Sequence, residues 1–211
     1  MTLPNGKRVP TPSDQRRCKP LTDQVLLDHF TKRDSQFHNV VGLYPLSKDS
    51  KVWFLAIDFD DDGWKEEIIA TKRVCENHGL HPIMERSRSG DGGHLWMFFS
   101  EEIEAAQARK MGTALLSEAA QKTHIRFRSY DRMFPNQDLL PSGGFGNLIA
   151  LPLQRLARDA GNSVFVDEQF NPYADQWAFL DTVQRITAQQ VNAIATLTSA
   201  CLLYTSPSPR D

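Results

Sequence analysis

The sequence predicts an α+β domain from three observations: apolar stretches with strand period, stretches with helix period between them, and an order of the two without strict βαβ regularity. A partly antiparallel sheet is therefore expected. Residues 1–20 carry Pro4, Pro10, Pro12 and Pro20 among polar and basic side chains and read as an irregular lead-in. Thr22 can cap a helix whose Val25, Leu26 and Phe30 share a face, and Val40–Leu46 reads as a short strand ended by Pro45. Lys51–Asp60 is the strongest strand pattern, with Trp53, Leu55, Ile57 and Phe59 on one side and Val52, Phe54, Ala56, Asp58 and Asp60 on the other. A helix from Trp64 to about His78 closes at Gly79.

Pro82–Ser87 and His94–Phe99 read as strands joined by the turn Ser89-Gly90-Asp91-Gly92-Gly93. Ser100 with Glu101 and Glu102 marks a helix start, because a hydroxyl and two carboxylates suit the exposed N-terminal amides, and that helix runs to about Gln121. His124–Asp131 alternates again, with Ile125, Phe127, Ser129 and Asp131 on one face and His124, Arg126, Arg128 and Tyr130 on the other. A loop rich in Pro and Gly, Pro135–Gly146, leads to a strand at Asn147–Leu151 and a hairpin near Asn162–Val166. Helices around Ala174–Thr182 and Thr187–Ala200 follow.

At 211 residues, 40% hydrophobic and 24% charged, the chain fits one domain or two small lobes sharing a core. Its apolar runs are far shorter than the ~20 residues of a membrane span, and no charged-then-apolar leader opens it, so a cytoplasmic location without a membrane partner is expected. Cys18, Cys75 and Cys201 have neither CxxC spacing nor a His pair at ligand spacing, which excludes a disulfide framework and a zinc knuckle and leaves buried or idle thiols. A net charge of −2 confines any nucleic-acid surface to a local patch. The last eleven residues, 201–211, resemble one reading frame of a transposase adapter used in sequencing libraries and are set aside. The domain proper is expected at 21–200, in a natural chain that continues past Ala200.

Three segments carry chemistry. Asp58-Phe59-Asp60 ends an apolar strand, so alternation puts both carboxylates on one face, where they can bridge a pair of hard divalent cations. The bland alternative is a strand exit through Asp60-Asp61-Asp62-Gly63. In Glu85–His94, glycines let a turn offer backbone N–H groups to phosphate, Arg86 and Arg88 can neutralise phosphate oxygens, and His94 can donate to a triphosphate; an ordinary glycine-rich hairpin is the alternative. Ser129–Asp138 supplies a third acid. Asp131 lies in strand register, while Asp138 sits in the loop, where capping is the commoner use of an aspartate. The face carrying His124, Arg126 and Arg128 is either a solvated edge or a patch for template phosphates.

Together and in this order, these segments resemble the archaeo-eukaryotic primase superfamily. The stretches 54–60, 85–96, 129–138 and 143–154 are most similar to the primase domain of TOTE conflict systems, and the resemblance extends from about Pro20 through 161–166 and 175–180. The resemblance implies a fold of two small lobes, one with an RNA-recognition-type sheet, with the acids in the cleft between them. It further implies Asp58, Asp60 and Asp131 as ligands of two Mg²⁺ or Mn²⁺ ions and His94 as a phosphate contact. Arg86, Ser87, Arg88, Ser89 and Gly90 complete the expected nucleotide site. The activity implied is transfer of a ribo- or deoxyribonucleotide to a 3′-hydroxyl on a single-stranded DNA template with its primer. Helicase and nuclease domains are implied as partners in the full-length protein, within a conflict system. Relatives often carry a cysteine cluster ahead of the segment matching Pro20, whereas only Cys18 stands here, so zinc is not carried over.

Three other readings compete. A nucleotide-sugar glycosyltransferase also holds a metal with Asp-x-Asp at a strand end, but needs neither the Ser/Gly/His turn nor a third strand acid. A non-catalytic nucleic-acid-binding module and a two-metal phosphodiesterase share the remaining features.

Overall fold

The computed structural model describes residues 20–33, 39–123, 128–142 and 144–204, with side chains described as far as Thr196. The lead-in before Pro20, the stretch His124–Phe127 and residues 205–211 lie outside the described residues. The elements are α1 (Asp23–Thr31), β1 (Gly42–Leu43), β2 (Lys51–Asp60), α2 (Trp64–Asn77), β3 (Ile83–Arg86), β4 (Gly92–Glu104), α3 (Ala105–Thr123), β5 (Tyr130–Phe134), β6 (Ile149–Ala150), α4 (Arg155–Asp159), β7 (Val164–Val166), α5 (Gln176–Asp181) and α6 (Ala188–Tyr204).

Five strands form the main sheet in the order β5-β2-β4-β3-β7, and β1 pairs with β6 in a second, two-stranded sheet. Every pairing between these strands is antiparallel, beyond the partly antiparallel arrangement expected; a lone parallel bridge joins Phe99 to Ile186. The run β2-α2-β3-β4-α3-β5 is a split βαβ arrangement with β2 and β4 at its centre. Alternation along those strands sends Leu55, Ile57, Phe59, Leu95 and Met97 toward α2 and α3, where each is at most 1% exposed. Each such side chain contributes roughly 1.5–3 kcal/mol by leaving water. The opposite face carries Phe54, Trp96 and Phe98, covered by α1, α5 and residues 151–153 around an apolar cavity of about 180 Å³.

Thr22 caps α1 by accepting from Val25 N, as its sequence context predicts. β2 has the predicted bounds, and Gly79 ends α2 with φ +71°. Three expectations are corrected and one element is added. Ser100 does not start a helix: β4 continues through Glu101 and Glu102 to Glu104, because Lys51 and Val52 pair with Glu104 and Ile103 and Ser100 N donates to Ile186 O. Tertiary pairing overrides a good local cap here. The strand expected at His124–Asp131 lies further on, at Tyr130–Phe134, where Met133 and Phe134 are buried against the core. The segment 162–166 is not a hairpin of its own, since β7 pairs with β3 and only the bridge Val166–Pro172 turns back on it. The turn α4, capped by Gln154 through Ala157 N, was not anticipated.

Candidate functional site

Two strands and one turn build the site. Asp58 and Asp60 come from the end of β2, the first buried and the second exposed, and both face away from the helices. β5 runs beside them with an irregularity: Asp58 pairs with Arg132 but Phe59 pairs with Tyr130, leaving Asp131 as an extra, bulged residue. The bulge turns Asp131 toward the two β2 acids. One ligand oxygen from each of Asp58, Asp60 and Asp131 lies within 4.8 Å of the others. Asp138, the alternative third acid, is instead paired with Arg109 of α3 on an exposed surface.

Like charges crowd this spot. Burial, then the neighbouring Asp58, raises the pKa of Asp60; Asp131 and Asp61 add to the rise and His94 opposes it. Three hard oxygen donors at this separation suit Mg²⁺ or Mn²⁺ rather than a soft metal, so the residues present fit the cations that the sequence resemblance implies.

His94 stands opposite Asp58 on β4, with Nε2 3.3 Å from Asp58 Oδ1 and Nδ1 3.0 Å from Glu85 Oε2. Glu85 is 2% exposed, accepts also from Trp96 Nε1 at 2.8 Å and takes a longer contact from Ser163 Oγ at 3.4 Å. Burial works against charge on His94, but Glu85 and the hydrogen bonds to Asp58 and Glu85 outweigh it and hold the imidazole pKa up at about 10. Glu85 and Asp58 thus favour the protonated form of the ring beside the acids.

The turn between β3 and β4 borders the same opening. Asp60, Asp61, Ser89, Asp91, Arg128, Ser129, Tyr130 and Asp131 line a cavity of about 460 Å³. Ser87 is buried, its N–H donating to Gly92 O and its hydroxyl 3.1 Å from that of Ser89; Ser89 and Arg88 are exposed. Gly90 has φ +92°, which a side chain would strain. Arg86 points elsewhere: its guanidinium donates to Gly161 O at 2.9 Å and Phe170 O at 2.6 Å, fastening the segments on either side of β7. Of the charged face expected on the 124–131 strand, Arg128 is exposed at the mouth of the cavity, while His124 and Arg126 lie outside the described residues.

Two residues that sequence reasoning missed hold this arrangement in place. Glu85 fixes the His94 ring. Glu67 of α2, 3% exposed, accepts from Arg128 N at 2.9 Å, Ser129 N at 3.1 Å and Ser129 Oγ at 2.5 Å, and so pins the approach to β5 and its bulge. A signal for Glu67 existed: it lies on the apolar stripe Trp64, Ile68, Thr71, Cys75, where a carboxylate needs buried donors.

The model for the archaeo-eukaryotic primase domain of the TOTE conflict system matches residues 5–194. The chain belongs to this family. Primase domains of this kind are of the primase/polymerase, nucleotidyltransferase type, and membership removes the glycosyltransferase reading of Asp58-Phe59-Asp60. No curated protein matches the chain. Among solved structures it is similar to the polymerase domain of Mycobacterium tuberculosis ligase D in complex with DNA, at 15% identity and a TM-score of 0.33. The alignment covers 74% of this chain and 57% of that one, so the chain spans little more than half its length. Among the described residues, no helix is long and apolar enough to cross a membrane.

Proposed function

We propose that this primase-family domain is a metal-dependent nucleotidyltransferase that adds nucleotides to a 3′-hydroxyl on a single-stranded DNA template. The observation that carries the reading is the meeting of Asp58, Asp60 and Asp131 within 4.8 Å beside His94, whose Nε2 is 3.3 Å from Asp58 Oδ1. Asp58, Asp60 and Asp131 would hold two divalent ions, which supply activation of the attacking hydroxyl and neutralisation of the leaving pyrophosphate when bound. His94 and the Ser87–Gly90 turn orient the triphosphate, His94 by donating from a ring that Glu85 prevents from turning. We assign Arg88, exposed on the turn, and Arg128, at the cavity mouth, to phosphate oxygens, whereas Arg86 serves the site by holding the turn's neighbours.

We read the split βαβ sheet as an RNA-recognition-type lobe, and β1, β6, α1 and α4 as part of a second lobe that closes the cleft. The setting we infer is a larger conflict-system protein carrying helicase and nuclease domains. The test is incorporation of labelled nucleotide on single-stranded DNA, with and without primer, in Mg²⁺ or Mn²⁺, by the wild-type chain and by Asp58→Ala/Asp60→Ala. Product that vanishes in the double variant supports the reading, and product in the unprimed reaction makes it a primase. A folded wild-type chain that binds nucleotide and makes no product overturns it in favour of a binding module.

A further inference from the structure

The β5 bulge brings a cation into the acid cluster as well as an acid. Arg132 is the register partner of Asp58, so its side chain leaves the sheet on the same face, and the extra residue in the bulge puts Asp131 on that face too. The two side chains meet, with Arg132 Nε donating to Asp131 Oδ2 at 2.5 Å. Both are open to solvent: the Arg132 side chain is 49% exposed and that of Asp131 is 39% exposed. Arg132 also feels Asp58 and Asp60, so one exposed guanidinium offsets charge across the whole cluster.

This pairing conflicts with metal ligation. The Asp131 carboxylate that Arg132 holds is one of three offering an oxygen to a cation, and a guanidinium and a divalent ion repel each other there. Arg132 is exposed enough to swing away, and its planar fork of N–H donors matches phosphate oxygens, which arrive with the nucleotide. Building on the function proposed above, we propose that Arg132 is an exchangeable counter-ion, paired with Asp131 in the metal-free site, displaced by the cation, and then turned onto a phosphate oxygen of the incoming nucleotide.

The experiment is Mn²⁺ titration of the full chain followed by electron paramagnetic resonance, then titration with α,β-methylene ATP at saturating Mn²⁺. Wild type, Arg132→Gln, Arg132→Lys and Asp58→Ala/Asp60→Ala are compared. Arg132→Gln is expected to bind Mn²⁺ roughly 2- to 5-fold more tightly, the range of an exposed ion pair. It should bind the nucleotide analogue about 10-fold or more weakly, the range for a hydrogen bond to a charged group. Arg132→Lys should keep wild-type Mn²⁺ affinity and lose part of the analogue affinity. Unchanged or weaker Mn²⁺ binding by Arg132→Gln would show that Arg132 does not compete with the ion and overturns the proposal. Tighter Mn²⁺ binding with unchanged analogue binding overturns the phosphate contact. If wild type and Asp58→Ala/Asp60→Ala alike fail to bind Mn²⁺, the two-metal reading falls and the exchange falls with it.

Discussion

Glu67 and Glu85 are carboxylates satisfied from several sides, whereas Asp58, Asp60 and Asp131 crowd one another with His94 beside Asp58 and an exposed Arg132 beside Asp131. Glu67 receives two backbone N–H groups and a hydroxyl, and Glu85 receives an imidazole and an indole. Asp60, by contrast, is pressed by Asp58, Asp131 and Asp61, and is relieved by His94 and, through charge alone, by the exposed Arg132. Donors that match a buried anion make it part of the scaffold. Clustered anions with fewer such donors repel one another, and that arrangement suits a cation that comes from solution.

Substitutions should separate the two groups, and the largest effect is on activity. Asp58→Asn/Asp60→Asn is predicted to lower nucleotide incorporation by about 10³-fold or more while leaving the urea unfolding midpoint unchanged or raised, since like charges are removed. A marked fall in that midpoint would erase the contrast, making the acids structural. Next, Glu67→Ala is predicted to cost roughly 2–4 kcal/mol of unfolding free energy, because three donors lose a buried acceptor, and to weaken Mn²⁺ binding by loosening the bulge. Equal stability of this variant and wild type would mean water replaces the carboxylate freely.

A third prediction concerns pH and a buried group well away from the acids. His29 is fully buried, with Nε2 donating to Pro152 O and Nδ1 accepting from Val41 N, so it is held neutral and burial lowers its pKa. The unfolded chain takes up a proton near pH 6.5 while the folded chain does not, so the stability this residue contributes is present above that pH. It is lost as pH falls, by at most about 1.4 kcal/mol per unit, until the folded ring also titrates. Urea melts of wild type and His29→Gln between pH 7.5 and 5 should therefore diverge in slope, and parallel curves would refute the assignment. The smallest effect belongs to Asp138→Asn, which breaks an exposed pair with Arg109 and should change stability by under about 1 kcal/mol and Mn²⁺ affinity by less than about 2-fold.

What the sequence made legible is what one strand or helix determines by itself. The alternation of Lys51–Asp60 places Asp58 and Asp60 on one face with no need of a partner strand, and the Thr22 cap and the Gly79 stop are equally local. Asp131 was legible as a residue but not as a geometry. The expected strand ended at Asp131, whereas the bulge that aims it exists only in the pairing of β5 with β2. Ser100 misled because a cap signal is local and the continuation of β4 is decided by residues 51–52 and 186. Glu85 shows the same limit, since its role emerges only when β3, β4 and Ser163 are brought side by side.

The contact of β4 with β2 bears on which variants of this protein can exist at all. A Cβ at Gly92 would fall 2.5 Å from both Asp60 Oδ1 and Phe59 O, and one at Gly93 would fall 2.6 Å from the Trp64 ring and 2.9 Å from Glu85 O. In a survey of every single substitution, these two neighbouring positions should reject even alanine, one by displacing the Asp60 oxygen that we propose as a metal ligand and the other by lifting a strand off a helix. Heredity would then guard the site most strictly at two residues that have no side chain to contribute to it.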